Sequence, residues 1–310
     1  MSGCGRDDAS GVTGEQAPGR SGFVSVVGRP NVGKSTLVNV LVGEKVAITS
    51  PRPQTTRNVI RGVLTIEDPP AQIVFVDTPG LHKPRTALGE RLNRLVYGSL
   101  AETDLVVFVL DATAPVGPGD RMIAERLHDV ADRTVVAVNK VDAAGPHEIA
   151  AQLAEAGSWD FAAYVPVSAI DEDGVDVLLD ELTGRIPEGP PFFPPDMRTD
   201  QPDELLVAEI VREKYLGRLR DELPHSLAVV ADEISERESG TVYVAATAYV
   251  ERESQKGIVI GKGGNTLREV GEAARGELES FFGAPVYLDL RVKVERDWQR
   301  RDALLDRLGF

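Results

Sequence analysis

Gly28-Arg29-Pro30-Asn31-Val32-Gly33-Lys34-Ser35 sets two glycines five positions apart and follows the second with a lysine and a hydroxyl. Glycines let a backbone curl so that successive N–H groups face one oxyanion. A helix that starts there adds its N-terminal dipole. The lysine of such a loop reaches the β- and γ-phosphates of a nucleotide, and the serine hydroxyl holds Mg2+. An apolar run precedes the loop and an amphipathic stretch follows it, the context in which this spacing marks a phosphate-binding loop.

Three later segments choose the nucleotide. Asp77-Thr78-Pro79-Gly80 follows an apolar run, which suits a water-mediated contact from Asp77 to Mg2+ and a γ-phosphate contact from the Gly80 N–H. In Asn139-Lys140-Val141-Asp142, a carboxylate can accept from both N1–H and the exocyclic amine of guanine, a pairing adenine does not offer. In Val167-Ser168-Ala169, the Ala169 N–H is expected to meet the guanine O6. The expected nucleotide-binding set is therefore Gly28, Arg29, Pro30, Asn31, Val32, Gly33, Lys34, Ser35 and Thr36, with Asp77, Thr78, Pro79, Gly80, Asn139, Lys140, Val141, Asp142, Val167, Ser168 and Ala169. Between the helical stretch that follows the Gly28–Ser35 loop and the next strand, Gln54-Thr55-Thr56-Arg57 offers a loop threonine that can ligate Mg2+ while a γ-phosphate is present and release it afterwards. Thr56 is the expected ligand and Thr55 the alternative. Ser35, Thr56 and Asp77 form the expected metal set, and Lys34, Thr56 and Gly80 the expected catalytic one. His82, Asp104 and Asp111 read as solvated, turn or cap residues, and Trp159 and Trp298 as packing residues.

These residues need a scaffold that gathers loops. Apolar, β-branched runs at 23–27, 73–76, 105–110 and 134–138, with a more polar edge run at 59–66, alternate with helical stretches at 35–42, 88–100, 120–130, 147–156 and 175–185. That alternation predicts an α/β, doubly wound P-loop domain with a mostly parallel sheet. Residues 1–20 read as a disordered tail, 21–186 as the nucleotide domain and 187–203 as a Pro-rich, semi-rigid linker. Residues 204–310 change texture: a long helix at 203–223 ended by Pro224, two strands, a Gly-rich loop, a helix at 266–281, a strand at 286–294 and a closing helix from about 296. This is a small α+β domain.

Its loop, Gly261-Lys262-Gly263-Gly264, lets a phosphodiester chain approach the backbone closely. The expected RNA-contact set is Gly261, Lys262, Gly263 and Gly264 with Arg252, Lys256, Ile258, Ile260, Arg268 and Arg275; the last two stand seven apart, about two helical turns, on one face. The net charge of −15 argues against a wholly nucleic-acid-coated surface. Yet 16 Lys and Arg against 19 Asp and Glu from Leu205 onward leave only three of those negative charges in the second domain. No DNA partner is expected. The lone Cys4 excludes an internal disulfide and favours a cytoplasmic location, and no apolar run is long enough to span a bilayer.

The nucleotide segments resemble the translation-factor-like GTPases. Leu81 stands where many of these carry a water-orienting glutamine, so the chain is similar to the subgroup with a hydrophobic residue there. That resemblance implies slow unaided hydrolysis and a potassium ion at Asn31, which thereby joins the catalytic set. The Gly261–Gly264 loop and its flanking elements resemble a type II KH domain. One GTPase domain followed by one KH domain resembles the Era family of bacterial ribosome-assembly GTPases. Arg212-Glu213-Lys214, Glu222-Leu223-Pro224-His225-Ser226 and Val292-Lys293-Val294 ahead of Asp297-Trp298 carry the likeness further. It implies binding of GTP, GDP and the 3′ end of 16S ribosomal RNA, action in 30S subunit maturation, and peripheral association with the inner face of the membrane. A tandem GTPase is excluded by the single P-loop, and a tRNA-modifying GTPase by the missing C-terminal cysteine motif. A scaffold that binds GTP without turnover and a KH-like protein-docking module are the remaining alternatives.

Overall fold

The computed structural model describes residues 19–308 apart from 51, 53, 54, 82, 83, 85, 221 and 222. Most of the expected tail, together with Gln54 and His82, lies outside the described residues. The first part holds β1 (Arg20–Gly28), α1 (Lys34–Val42), β2 (Ile60–Ile66), β3 (Ala71–Asp77), α2 (Ala87–Glu102), β4 (Leu105–Asp111), α3 (Pro118–Leu127), β5 (Thr134–Asn139), α4 (Pro146–Ala156), β6 (Ala163–Val167) and α5 (Val175–Arg185). Its sheet runs β2-β3-β1-β4-β5-β6, with β2 antiparallel at the edge and every other pairing parallel.

Alternation along β4 shows why its sequence is apolar throughout. Val107 and Val109 face α1 and α5, whereas Val106, Phe108 and Leu110 face α3 and α4. A strand covered on both faces needs apolar residues at both parities. Because the chain leaves β1 for β3 on one side and β4 on the other, the loop after β1 sits at the switch point of the sheet, where a crevice opens.

The second part holds α6 (Asp203–Leu216), α7 (Leu223–Ser226), β7 (Ala228–Glu236), β8 (Val242–Val250), α8 (Glu253–Ile260), α9 (Asn265–Phe282), β9 (Val286–Val294) and α10 (Asp302–Arg307). Its sheet runs β7-β8-β9, the first pair antiparallel and the second parallel, with α6 and α9 packed on one face through Val211, Tyr215, Val270 and Leu278. A third apolar cluster joins the two parts. Leu88 and Leu92 of α2 meet Ala228, Trp298, Leu304 and Leu305, and the fully buried Trp298 donates its indole N–H to Ser226 O at 3.1 Å.

Four expectations need correction. Arg20 belongs to β1 rather than to a tail, because its N–H donates to Pro70 O at 3.0 Å. The expected helix over 203–223 stops at Leu216, where the Gly217 N–H caps it on Glu213 O. Pro224 does not end that helix but lies in the first turn of α7, where a missing N–H costs nothing. The closing helix begins at Asp302 rather than near 296, since Asp297 takes a left-handed φ of 54° and breaks the path.

The fourth concerns the Pro-rich segment, which is no free spacer. Ser21 N donates to Pro187 O at 3.0 Å, Gly189 N to Gly19 O at 2.9 Å and Val63 N to Arg198 O at 2.8 Å. The Phe192 ring packs on Phe23 with centroids 4.8 Å apart. Gln72, 1% exposed, accepts from both Phe192 N (2.7 Å) and Phe193 N (2.9 Å) and donates to Phe193 O (2.9 Å). Prolines suit such a strap because they demand no ladder hydrogen bonds of their own. Gln72→Leu strands three polar groups of the strap, so we expect it to destabilise the protein by about 2 kcal/mol. Urea unfolding measures this, and an unchanged midpoint would show that the strap holds without it.

Candidate functional site

The loop after β1 enters α1 through Gly33, whose φ of 97° disfavours any side chain. A Cβ there would also lie 2.2 Å from Asn139 Nδ2. Lys34, 6% exposed, folds back over the loop and donates to Gly28 O at 3.3 Å and Arg29 O at 3.0 Å. Burial pushes its ammonium down to about 8, against the attraction of Asp77.

Asp77 ends β3 fully buried. Ser35 Oγ donates to its Oδ2 at 2.6 Å and Thr56 Oγ1 to the same oxygen at 3.2 Å, while the two hydroxyls stand 2.9 Å apart. Its other oxygen, Oδ1, has no hydrogen-bond partner among the described residues. Burial raises the carboxyl's pKa, Lys34 and the two hydroxyls act to lower it, and Glu209 of the second part acts to raise it. A carboxylate and two hydroxyls converging with one orphaned oxygen fit a hard divalent cation such as Mg2+. Thr56 is the threonine brought here; the Thr55 hydroxyl turns away to Arg52 O at 2.7 Å. Gly80 closes against the loop so tightly that a Cβ would lie 2.7 Å from Pro30 N. Leu81, 3% exposed, is packed in the core with Val27 and Phe108 and cannot reach a water.

At the far end of the crevice the structure changes several expected roles. Asn139 spends its side chain on protein groups: Nδ2 donates to Val32 O at 2.9 Å and Oδ1 accepts from Ala169 N at 3.0 Å. The Ala169 N–H is thus engaged here, not aimed at a base. Arg29 turns to the buried Asp120 at 2.7 Å, because that carboxylate also caps α3 through Gly117 N. Thr78 donates to Val26 O at 2.8 Å, and Val32 and Val167 lie in the core. Only the backbones of Val32 and Val167 remain for a ligand. Lys140 spans to Asn31 O at 2.7 Å and Asp111 Oδ2 at 2.5 Å. Asp111 is therefore more than a turn residue. Burial acts to raise its pKa, but the bonds from Lys140 and Thr113 outweigh that and the net shift is downward. Asp142 stays at the surface, its Oδ1 held by Ser168 Oγ at 2.7 Å. Pro30, Asn31, Ser35 and Thr36 line the phosphate end of the crevice with Thr56 and Gly80.

In the second part, Gly261 takes a φ of 77°, and a Cβ on it would lie 2.8 Å from Thr266 N. Gly263 and Gly264 also take positive φ, with open space around them, and Lys262 is exposed. Gly264, Arg268 and Arg275 line a groove between α9 and β9, floored by Leu267, Leu288 and Leu290. Arg252 and Lys256 lie up α8 and do not line it; Ile258 is 55% exposed, whereas Ile260 is half-buried. Gly271 lines the same groove and was not singled out from the sequence. Its spacing, seven after Gly264 and between the two arginines, was the available signal.

The switch segment is bound to the second part. Arg57, 1% exposed, donates to Leu227 O at 2.6 Å and Pro224 O at 3.1 Å and lies over the Trp298 ring at 5.8 Å. Burial, with Arg212 adding to it and Glu209 opposing, pushes its guanidinium down to about 9, still charged at neutral pH. Arg212 donates to Thr55 O, Thr49 N to Glu213 Oε1 at 3.0 Å, and Lys45 to Glu213 at 2.7 Å and Glu277 at 2.6 Å.

Residues 23–140 match the family model described as a 50S ribosome-binding GTPase, and residues 222–299 match the KH domain. GTPase Era from Mycobacterium sp. (strain JLS) is 54% identical over 297 residues, covering 94% of this chain and 99% of the relative. GTPase Era from Mycobacterium tuberculosis (strain ATCC 25177 / H37Ra) is 54% identical, covering 94% and 98%. Among solved structures, a substituted Aquifex aeolicus Era bound to GDP·AlF4− superposes with a TM-score of 0.90 at 40% identity, covering 94% of this chain and 99% of that one. Era in complex with MgGDPNP and nucleotides 1506–1542 of 16S ribosomal RNA gives 0.90 at 40%, covering 94% and 98%. Scores of that size over both parts require that the two parts sit together in a similar way.

Asn139→Ala should uncouple the loop after β1 from the Ser168–Ala169 segment and leave Val32 O and Ala169 N unsatisfied. We expect a loss of about 2–3 kcal/mol, measured by urea unfolding without ligand. A loss below about 0.5 kcal/mol, typical of a surface substitution, would mean that the bridge carries no load.

Proposed function

The chain belongs to the Era family of GTPases, and from that premise we propose how its own residues bind GTP, hydrolyse it, and hold the 3′ end of 16S ribosomal RNA during maturation of the 30S subunit. The observation that carries this reading is the chain-long likeness to Era with nucleotide and RNA bound, because one such molecule holds both ligands. Residues 21–186 act as the hydrolysing unit and 204–310 as the RNA-binding unit.

Lys34 releases the carbonyls of its own loop to meet the phosphates. Ser35, Thr56 and Asp77 hold Mg2+, Asp77 through water; bound there, the ion supplies positive charge to the β- and γ-phosphates. The Gly80 N–H senses the γ-phosphate, since its close approach to Pro30 ties the Asp77–Gly80 segment to the loop after β1. Asp142 selects guanine, and Ser168 orients it. Asn139 acts through the fold, fixing the Val32 and Ala169 backbones. With Leu81 in the core, no side chain orients the attacking water from that position, and turnover without a partner is slow.

Asn31 turns the loop with a φ of 66°, exposed beside the phosphate end. We assign the potassium ion to this residue. RNA backbone follows Gly261–Gly264 with Lys262 as its first charge, and Arg268 and Arg275 meet phosphates or bases in the groove. Association with the assembled 30S subunit and with the membrane surface belongs to the same proposal. Among the described residues no helix is long and apolar enough to cross a membrane.

Three experiments test the reading. Lys262→Ala should weaken binding of a 16S 3′-end oligonucleotide about tenfold and leave GTP affinity in the absence of RNA unchanged, while Lys34→Ala should cripple nucleotide binding. Wild-type RNA affinity should also differ between a non-hydrolysable GTP analogue and GDP; equal affinities would end the switch proposal. Hydrolysis should run faster in potassium than in sodium, and equal rates would remove the ion from Asn31.

A further inference from the structure

The proposed metal ligand Thr56 is flanked on both sides by bonds to the second domain. The residue before it, Thr55, gives its carbonyl to Arg212, and the residue after it, Arg57, gives its guanidinium to Pro224 O and Leu227 O. A planar peptide bond joins the Thr55 carbonyl to the Thr56 nitrogen, so fixing that carbonyl fixes the plane from which Thr56 projects. Arg212 suits the task. It is 2% exposed, and its fork is locked on Glu209 by two parallel bonds, Nε to Oε1 at 2.9 Å and Nη2 to Oε2 at 2.6 Å. A lone lysine would present one mobile point charge and no fork.

We propose that Arg212, carried by α6 of the second domain, is a positioning residue for the GTP site: by holding the Thr55 carbonyl it sets Thr56 beside Ser35 and Asp77. The site that distinguishes GTP from GDP is then completed by the RNA-binding domain. This rests on the proposed assignment of Thr56 to Mg2+ and the γ-phosphate. It also gives a path from RNA to nucleotide, because α6 packs directly on α9, whose other face carries Arg268 and Arg275.

The test uses the whole protein and fluorescent nucleotides, measured at equilibrium in Mg2+. Arg212→Met should lower the preference for a non-hydrolysable GTP analogue over GDP about tenfold, the scale of one lost hydrogen bond to a charged group. Affinity for GDP should stay within about twofold, because Thr56 is engaged only with the triphosphate. In a Thr56→Ala background, adding Arg212→Met should leave the preference unchanged. A residue that merely stabilises the fold would lower it equally in both backgrounds, and that result would overturn the proposal, as would an unchanged preference in Arg212→Met alone. If the single variant unfolds because Glu209 is left buried and unpaired, Glu209→Gln with Arg212→Met removes both charges and carries the same two expectations. A wild-type protein that shows no preference for the GTP analogue would overturn the functional reading itself, not only the part given to Arg212.

Discussion

A fully buried carboxylate at the end of β3 governs this molecule. Asp77 cannot be ionised in a dry interior without partners, and these come from two separate segments: Lys34 and Ser35 from the start of α1, Thr56 from the loop before β2. Burial still wins, since its pKa is raised despite them, and one of its oxygens stays unbonded. The protein's own groups therefore leave this carboxylate short of positive charge. That shortage is what makes a divalent cation with its nucleotide a favourable addition, and what makes the position of Thr56 sensitive to their presence.

The same loop forms the seam with the second domain. Arg57, Arg212 and Glu209 are buried there as two cations and one anion. Such a triad contributes little net stability after desolvation, but breaking it is costly, so it favours one arrangement of loop and domain over its neighbours. Trp298 and the α10 leucines extend the contact to α2. The Thr55–Arg57 segment and α2 thus both lean on the second part. The strap from α5 to α6 limits how far the two units can drift, because Gln72 and Phe23 pin it to the first sheet.

Charge is divided unevenly between the two parts. The acidic excess lies in the first 204 residues, and the part that follows is close to balanced. The groove beside α9 sets Gly264 and Gly271 among Arg268, Arg275, Glu272 and Tyr287, so backbone and both signs of charge are presented together there.

Much of this was legible in order along the chain. Runs apolar at both parities gave a doubly covered sheet, the glycine spacings gave both phosphate-facing loops, and Arg268 with Arg275 gave one helix face. These are local properties: period, steric freedom and donor type follow from a few neighbouring residues. What could not be read was which partner each polar side chain would choose. Asn139 stitches two loops, Arg29 pairs with the Asp120 that caps α3, Gln72 pins the strap, and Pro224 begins a turn rather than ending a helix. Choosing Thr56 over its neighbour Thr55, and joining Arg57 and Arg212 across 155 positions of sequence, depends on where distant segments meet. A buried charge is satisfied by whatever the packed chain brings within about 3 Å, and only the tertiary structure decides what that is.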